Sequence, residues 1–337
     1  MFSKILSQRV SKHSSLAKEQ RGFIPSDGAA QNIFSLDFIL RYALEKCRTT
    51  HIASLDIVKA FDSVSFESVF TALHENGIHL GFSNMIKLIF NQSSTSFEPF
   101  NDRKFIPTCG VRQGDPLSPI LFNIVVYFVI KSLRSDIGIQ LDDGSNTNIS
   151  AYADDLFLFA SSVPGLQHLL DNPIKLLSGC NQEINLKKSF TISIISDGEN
   201  KKTKIDTSHP FRARSTPIRL LIIKENFKYL GVTFTAHCLL AADCTPTFDD
   251  YVTKFASAPV KAQQRIWILR SILLPKIFHL LVLSSIQAGH LAKLDARIRA
   301  FVRKVLYLSA DCPNAYLHAA VSDSELSVPS LRYSVPV

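Results

Sequence analysis

Two adjacent carboxylates, Asp154 and Asp155, stand inside the otherwise apolar run SAYADDLFLFA, from Ser150 to Ala160. The residues on both sides of the pair favour β-strands, so the run predicts a β-hairpin with the carboxylates at or near its turn. At that turn the pair is either solvated or holds something cationic, because ionised side chains are costly to bury without a partner. The dipeptide alone does not decide between these two roles.

A third carboxylate, Asp56, lies at the end of a strand predicted in HIASLDIV, which precedes a helix predicted in SFESVFTALHENGI. One interpretation is that Asp56 ends the strand and Asp62 caps the next helix. The other is that Asp56 and Asp154 converge from neighbouring strands on a pair of divalent ions, roughly 4 Å apart. Such a metal pair stabilises the attacking and leaving oxygens of a phosphoryl displacement, the chemistry of polymerases and nucleases.

The rest of the chain predicts an α/β part followed by a helical part. QNIFSLDFILRYALEKCR has the apolar spacing of an amphipathic helix, and PTCGVRQGDPLSPILFNIVVYFVIKSLRS reads as a loop leading into a buried helix. Short strands are predicted at FTISIIS and FKYLGVTF, with a surface loop at 197–217 between them. From about Thr247 the sequence predicts helices, and the last of them, LAKLDARIRAFVRKVLYL, carries an apolar stripe and a basic stripe of Lys293, Arg297 and Lys304.

Charge and cysteine content narrow the function classes. The 337 residues include 37 Lys+Arg and 29 Asp+Glu, a net charge of +8 that favours a polyanionic partner. The six cysteines include no C-x-x-C pair and no Cys/His spacing suited to zinc, which favours a reducing intracellular compartment. The apolar run PILFNIVVYFVI is too short to span a bilayer, so no membrane segment and no membrane partner are predicted.

Five motifs occur in the order typical of one polymerase family: LDIVKAFDSV, GVRQGDPLSPILFNIVV, AYADDLFLFA, NLKKS and KYLGVTF. The sequence resembles reverse transcriptases of the non-LTR, LINE-type group. Within that group, QRGFIPSDGAAQNI and the helical tail most resemble the site-specific elements that insert into ribosomal RNA genes. The resemblance implies an α+β fold, in which a polymerase palm, an antiparallel sheet with packed helices, carries partial fingers and an α-helical thumb. It assigns 1–50 to partial fingers, 51–246 to the palm with residual fingers elements, 247–310 to the thumb and 311–337 to the start of a C-terminal linker.

The resemblance also implies catalytic roles. Asp56, Asp154 and Asp155 would bind two Mg²⁺ ions, or Mn²⁺ in their place, with the carbonyl of Ile57 as a further ligand. Lys188 would protonate the pyrophosphate leaving group, although the adjacent Lys187 matches the motif nearly as well and a solvated lysine is the alternative.

Other matches concern the incoming nucleotide. Phe61 stands where reverse transcriptases carry a bulky ring that leaves no room for a ribose 2′-hydroxyl, and ordinary core packing is its alternative. Ala60, Gln113 and Gly114 match the nucleotide pocket, where glycine permits close backbone approach. For Gln113 and Gly114 the alternative is a simple turn between a loop and a helix.

The remaining matches concern the primer and the nucleic-acid backbone. Tyr229, Leu230 and Gly231 match the hairpin that grips the primer end. The basic stripe of the last long helix would track a phosphate backbone, and a solvated helix face is its alternative.

The implied function is an RNA-directed DNA polymerase that extends a DNA primer on an RNA template with dNTPs, in target-primed reverse transcription at the nuclear site of integration. An inactive remnant that still binds nucleic acid is one alternative, and a group II intron maturase is another. The family normally carries an RPI-like fingers motif before QRGF, and a Gly-Gly-Leu-Gly run where this chain has SDSELSVPSLRY. We therefore expect a fragment, a gene-model piece or a decayed copy with little or no extension activity by itself.

Overall fold

A computed structural model describes residues 2–97, 100–198, 200, 202–319 and 326–336. The chain divides between Glu225 and Asn226 into two compact units. This division falls earlier than the palm–thumb boundary expected at 246/247, because the hairpin at 227–234 belongs with the helices that follow it. The assignment of the four predicted ranges to fingers, palm, thumb and linker stays a prediction. The altered segment at 322–333 lies in part outside the described residues.

A six-stranded sheet forms the centre of the first unit. Its strands are β1 (Thr50–Leu55), β6 (Ile149–Tyr152), β7 (Asp155–Ala160), β8 (Phe190–Asp197), β9 (Lys202–Ile205) and β12 (Arg219–Leu220). They lie in the order β12–β8–β1–β7–β6, with β9 paired to the other end of β8. Neighbouring strands are antiparallel, except that β12 runs parallel to β8. Four two-stranded pairings complete the described β structure: β2 (Thr95–Phe97) with β3 (Phe100–Phe105), β4 (Ile139–Gln140) with β5 (Asn146–Thr147), β10 (Arg212–Ala213) with β11 (Thr216–Pro217), and β13 (Phe227–Tyr229) with β14 (Val232–Phe234).

Both faces of the central strands are buried, which explains their nearly continuous apolar sequence. Leu156 and Leu158 of β7 join the core formed with the helices, while Phe157 and Phe159, which alternate with them, are buried as well. The helices of this unit are α1 (Phe2–His13), α2 (Gly28–Glu45), α3 (Ala60–Ser63), α4 (Phe66–Glu75), α5 (Leu80–Asn91), α6 (Ser118–Lys131) and α7 (Val163–Gly179).

Most predicted elements of the first unit are confirmed. The amphipathic helix is α2, the strand before Asp56 is β1, the helix ending near Gly77 is α4, and the buried helix after the Gly/Pro loop is α6. Helix α7 lies outside the predicted elements. It contains Pro173 in its interior, yet its buried leucines at helical spacing outweigh the cost of that proline.

Two predicted elements need correction. Residues 197–217 are not simply a loop, because Lys202–Ile205 forms β9 and 212–217 contains the β10–β11 pairing. The polar alternation of β9 is that of an edge strand, whose exposed lysines obscure its β character. FKYLGVTF is not one strand but the β13–β14 hairpin.

The second unit is a helical bundle with that hairpin attached. Its helices are α8 (Thr245–Ser257), α9 (Ala262–Ile268), α10 (Leu274–Leu283), α11 (Ala288–Leu306), α12 (Asn314–His318) and α13 (Leu331–Ser334), with a π-helical turn at Leu269–Leu273 between α9 and α10. The predicted apolar stripe of α11 is buried at Leu291, Leu294 and Ile298. The helix ends before Leu308, because Tyr307 takes a left-handed conformation.

One described stretch, Ala262–Leu283, is long and apolar enough by length and composition alone to cross a membrane. Leu269, Leu273 and Ile277 from this stretch are fully buried in the core of the second unit, which gives its apolar composition a structural reason. The absence of a membrane partner stays a prediction.

Candidate active site

The acidic pair lies at a tight turn, as its sequence context predicts. Tyr152 pairs with Asp155 across the β6–β7 hairpin, so Ala153 and Asp154 form a two-residue turn and Asp155 opens β7. Ala153 has a φ of 54°, a left-handed conformation that residues other than glycine seldom adopt. This turn puts the two carboxylates next to each other at the end of the hairpin.

The strand register brings the third carboxylate to the same end of the sheet. The β1–β7 ladder closes with Leu55 opposite Leu156, and one further step along both chains puts Asp56 opposite Asp155. Residues that face each other across an antiparallel pair have their Cβ atoms only about 5 Å apart. The predicted meeting of Asp56 with the acidic turn on adjacent antiparallel strands is therefore seen in the backbone.

A lysine completes the charged group. Lys188 Nζ lies 3.5 Å from Asp56 Oδ1, and the lysine side chain is 69% exposed against 23% for the aspartate. The Asp56 backbone is held on both sides, because its N–H donates to Ser189 Oγ at 3.1 Å and its carbonyl accepts the Asn185 N–H at 2.8 Å. Between the two lysines of NLKKS, the structure therefore brings Lys188 to Asp56, whereas Lys187 donates its backbone N–H to Asn185.

The backbone of Ile57 is paired with the segment before β8. It forms an antiparallel bridge with Ile184, and the hydrogen bonds of that bridge come from the flanking residues, Val58 N–H to the Glu183 carbonyl and Asn185 N–H to the Asp56 carbonyl. In such a pair the central residue directs its own carbonyl away from the bridge partner. The Ile57 carbonyl therefore points away from Ile184, and its role as a metal ligand stays a prediction.

Burial and mutual repulsion shape the protonation of the acidic pair. Burial raises the pKa of Asp155 to about 6, helped by the negative charges of Asp154 and Asp56, while Lys188 lowers it. Burial raises the pKa of Asp154 as well, with a further contribution from Asp56. The half-buried pair thus holds more negative charge than its surroundings stabilise, and a bound cation would relieve that charge.

The donor set suits a hard divalent cation. Three carboxylates and a backbone carbonyl are oxygen ligands of the kind that Mg²⁺ and Mn²⁺ prefer. Among the described residues no three His, Cys, Asp or Glu side chains are arranged closely enough to hold an ion by themselves. In this structure Lys188 supplies the positive charge beside Asp56. The carboxylates of Asp56, Asp154 and Asp155 and the carbonyl of Ile57 stay predicted metal ligands.

The ring proposed to exclude ribose lies between two other aromatic rings. Phe61 is half-buried and stacks on Phe122, with centroids 4.8 Å apart, while Phe23 meets it edge-on at 5.7 Å. These contacts hold the Phe61 ring in one orientation. Phe23, from the QRGF segment, was not predicted as part of this site. The signal that the sequence offers is its place directly after a glycine in QRGF.

The RQGDPLSP loop is tied to the segment that carries Phe61. Gln113 Nε2 donates to Asp62 Oδ1 at 3.0 Å, and Val111 N–H donates to the Phe61 carbonyl at 2.7 Å. Gly114 has a φ of +85°, and a Cβ added there would meet nothing within 4 Å. The backbone conformation thus favours glycine, and the space beside it is open.

Two further residues, Asp62 and Ala60, lie near that loop. Asp62 does not cap α4, because Ser65 does so by accepting the Ser68 N–H at 3.1 Å. Ala60 is buried, and its carbonyl accepts a hydrogen bond from Gln182 Nε2 at 3.0 Å. The roles of Ala60, Gln113 and Gly114 in nucleotide binding stay predictions.

The predicted primer-gripping residues form the turn of the β13–β14 hairpin in the second unit. Tyr229 pairs with Val232, and both Leu230 and Gly231 have positive φ, the pattern of a type I′ turn. A Cβ added to Gly231 would lie 3.9 Å from Leu280 of α10. The hairpin shape is confirmed and the role stays a prediction.

The basic stripe of the second unit is partly engaged within the unit. Lys293, Arg297 and Lys304 are exposed along α11, and Arg297 forms an ion pair with Asp249 of α8. Two lysines of the stripe thus remain as candidates for phosphate contacts beside one arginine that already has a partner.

Comparison with known proteins gives this site a family. The family model described as "Reverse transcriptase (RNA-dependent DNA polymerase)" matches residues 1–234. The retrovirus-related Pol polyprotein from type-2 retrotransposable element R2DM of Drosophila melanogaster is 38% identical over 99% of this chain and 32% of its own length. The corresponding polyprotein from type-1 retrotransposable element R2 of Nasonia vitripennis is 34% identical over 99% of this chain and 33% of its own length. The chain therefore spans about a third of the length of these curated relatives.

A solved structure shares the fold. Telomerase from Candida albicans, in complex with a TWJ fragment of telomeric RNA, matches with a TM-score of 0.50 at 13% sequence identity, over 93% of this chain and 48% of that one. At that identity the likeness concerns the fold alone. The predicted α+β polymerase fold and the resemblance to non-LTR reverse transcriptases are confirmed.

Proposed function

The chain belongs to the reverse transcriptase (RNA-dependent DNA polymerase) family, and we propose that it is the polymerase part of an R2-type retrotransposon protein that extends a DNA 3′ end along an RNA template. The observation that carries this proposal is the β1–β7 register, which brings Asp56 opposite Asp155 beside the Asp154 turn. Three carboxylates at one end of an antiparallel sheet are the arrangement that nucleotidyl transfer with divalent cations requires.

In this proposal the metal ligands and Lys188 have separate roles in the reaction. Asp56, Asp154, Asp155 and the Ile57 carbonyl would hold two divalent ions, which when bound stabilise the charge that develops on the attacking and leaving oxygens. Lys188, exposed and beside Asp56, would give its proton to the departing pyrophosphate.

The rings at the site would select the sugar. Phe61 is braced by Phe122 and Phe23, so it cannot turn aside easily to admit a 2′-hydroxyl. A rigid wall discriminates by steric clash better than a mobile one, because a mobile ring can move away at small cost. We therefore propose dNTPs as the substrates.

The proposed partners are an RNA template and a DNA primer. The net charge of +8 favours polyanions, and the telomerase that shares this fold was solved with an RNA fragment. We further propose target-primed synthesis at the site of integration in the nucleus, and the similarity to polyproteins of R2 retrotransposable elements supports this proposal.

The test uses a chimera in which this chain replaces the matching third of the Drosophila R2DM polyprotein. On a primed RNA template with Mg²⁺ and dNTPs we expect extension that Asp154→Asn lowers by at least about 100-fold. Asp143→Asn, the same change in an exposed turn, is the matched control and should leave extension unchanged. A chimera that binds primer–template but makes no DNA would replace the proposal with the alternative of an inactive, nucleic-acid-binding remnant.

A further inference from the structure

The side chain of Gln20 grips the backbone of the acidic turn. Its Oε1 accepts the Ala153 N–H at 2.8 Å and its Nε2 donates to the Ala153 carbonyl at 3.1 Å, so one amide satisfies both backbone groups of one residue. The same Oε1 accepts the Gly22 N–H at 2.9 Å. Gln20 is 1% exposed, so water does not compete for these hydrogen bonds.

The chain around Gln20 is attached to the same hairpin. Gln20 forms a parallel bridge with Ala151, in which Ala151 N–H donates to the Glu19 carbonyl at 3.0 Å and Arg21 N–H donates to the Ala151 carbonyl at 2.9 Å. A Cβ added to Gly22 would lie 2.4 Å from Ala153 N, so only glycine permits this approach. The backbone bridge thus fixes where the Gln20 amide can reach.

Ala153 is the residue of the turn that most needs such support. Its φ of 54° lies in the left-handed region, which the surroundings must impose on a residue with a side chain. Rotation of either peptide group of Ala153 would break a hydrogen bond to Gln20. The same rotation would redirect Asp154, the next residue in the turn.

We propose that Gln20 is a positioning residue, whose buried amide holds Ala153 in its left-handed conformation and thereby aims Asp154 and Asp155 toward the site. The inference rests on the proposed function, since it assigns those carboxylates to metal binding. The proposed positioning role differs from a purely structural role in what the loss of Gln20 would change. Loss of the amide should loosen the turn and weaken cation binding more than it lowers the stability of the unit.

The chain offers a matched control in Gln167. Its Nε2 donates to the Arg212 carbonyl at 2.9 Å and its Oε1 accepts the Arg212 N–H at 3.1 Å, the same two-bond grip on a single residue. This second grip holds β10 against α7 and touches no carboxylate of the proposed site. Each glutamine also makes one further hydrogen bond, Gln20 from the Gly22 N–H and Gln167 to Asp171 Oδ1. Replacing either glutamine by methionine therefore removes three hydrogen bonds at nearly the same side-chain length.

The experiment uses the full 337-residue chain with Gln20→Met and Gln167→Met. Hydrogen–deuterium exchange of peptides covering 152–156 is measured without metal, and Mn²⁺ binding is measured from the electron paramagnetic resonance signal of the free ion. We expect Gln20→Met to speed exchange at Asp154 and Asp155 by about 10-fold and to raise the Mn²⁺ dissociation constant by about 10-fold, as for other groups that orient metal ligands. Gln167→Met should change neither quantity.

Unchanged exchange at 152–156 in Gln20→Met would overturn the proposal, and so would faster exchange spread evenly over the first unit. If Gln20→Met does not fold, Gln20→Glu keeps the size and the accepting oxygen but, when ionised, cannot donate to the Ala153 carbonyl. It should then speed exchange at the turn by a smaller factor, and unchanged exchange there would again contradict the proposal. A wild-type chain that binds no Mn²⁺ would count against the proposed function, while the exchange comparison would still decide the role of Gln20.

Discussion

Lys188 Nζ lies 3.5 Å from Oδ1 of Asp56, so a cationic side chain stands beside the carboxylate that ends β1. The charge of the same lysine also lowers the pKa of Asp154 and of Asp155, against the larger effect of burial. With 69% of its side chain exposed, Lys188 can leave Asp56 when another cation takes its place. This exposure agrees with the proposed role of Lys188 as the proton donor.

The first prediction compares Lys188 with its neighbour. In the chimera, Lys188→Ala should lower the rate of primer extension by roughly 100-fold, because a positioned general acid contributes at least that much. Lys187→Ala, which removes an equal charge one residue away, should change the rate by less than about 3-fold. Single-turnover extension measures both rates, and a larger loss with Lys187→Ala would reassign the role.

The second prediction concerns pH and the metal-free chain. The folded-state pKa of Asp155 is raised to about 6, so this group favours folding when it is protonated. Its contribution is fully present below about pH 4, the pKa of an aspartate in an unfolded chain, and is lost as the pH rises through about 6. Asp155→Asn should therefore stabilise the protein by about 1–2 kcal/mol above pH 6, after allowance for solvent screening, and by little below pH 4. Urea unfolding in EDTA across this range measures the difference.

Asp206→Asn is a control variant whose effect on stability should have the opposite sign to that of Asp155→Asn. Hydrogen bonds from Ser208 and His209 lower the pKa of Asp206 to about 2, so its contribution to stability is present above about pH 4 and is lost as the pH falls through about 2. Its replacement should destabilise the chain at neutral pH. Two Asp→Asn changes with the same pH dependence would contradict the assignment of a raised pKa to Asp155.

The third prediction concerns the sugar. In the chimera, Phe61→Ala and Phe61→Val should raise ribonucleotide incorporation relative to deoxynucleotide by about 10-fold or more, because the ring that blocks the 2′-hydroxyl is gone. The ratio is measured with competing rNTPs and dNTPs in primer extension. Phe66→Ala removes a ring that packs against Phe90 instead, and should leave the ratio unchanged. If the ratio is also unchanged in the Phe61 variants, another residue excludes the 2′-hydroxyl.

The fourth prediction concerns the second unit. Asp295 is 2% exposed and accepts hydrogen bonds from Ser330 Oγ at 2.7 Å, Leu331 N–H at 2.8 Å and Arg332 N–H at 3.1 Å. Asp295→Ala should destabilise this unit by about 2–4 kcal/mol, because three donors, among them the buried Leu331 N–H, lose their acceptor. Unfolding is followed by the fluorescence of Trp267, the single tryptophan of the chain, which lies in α9.

Asp249→Ala is the matched control for that variant. It removes an exposed ion pair with Arg297, which contributes less than about 1 kcal/mol. A similar loss for both variants would show that the contacts of Asp295 do not stabilise the unit as its burial indicates.

The parts of the site that are formed by residues close together in the chain were predictable from the sequence. The hairpin at Asp154 and Asp155 follows from β-prone residues on both sides of a charged pair, and α6 follows from a long apolar run after a proline-containing loop. The edge strand β9 was not predictable, because its exposed lysines resemble a loop. Helix α7 was not predicted either, because Pro173 in its interior opposes the helix that its buried leucines stabilise.

By itself the sequence determined the motifs, their order and hence the family and the kinds of residue at the site. Only the tertiary structure decided which of them meet: Asp56 with Asp155 through the β1–β7 register, Lys188 rather than Lys187 with Asp56, and Gln20 with Ala153. These contacts join residues far apart in the chain, so no local pattern carries them. They arise because the side chains packed on each face of the sheet fix one register, and a shift by a single residue would move every side chain to the opposite face.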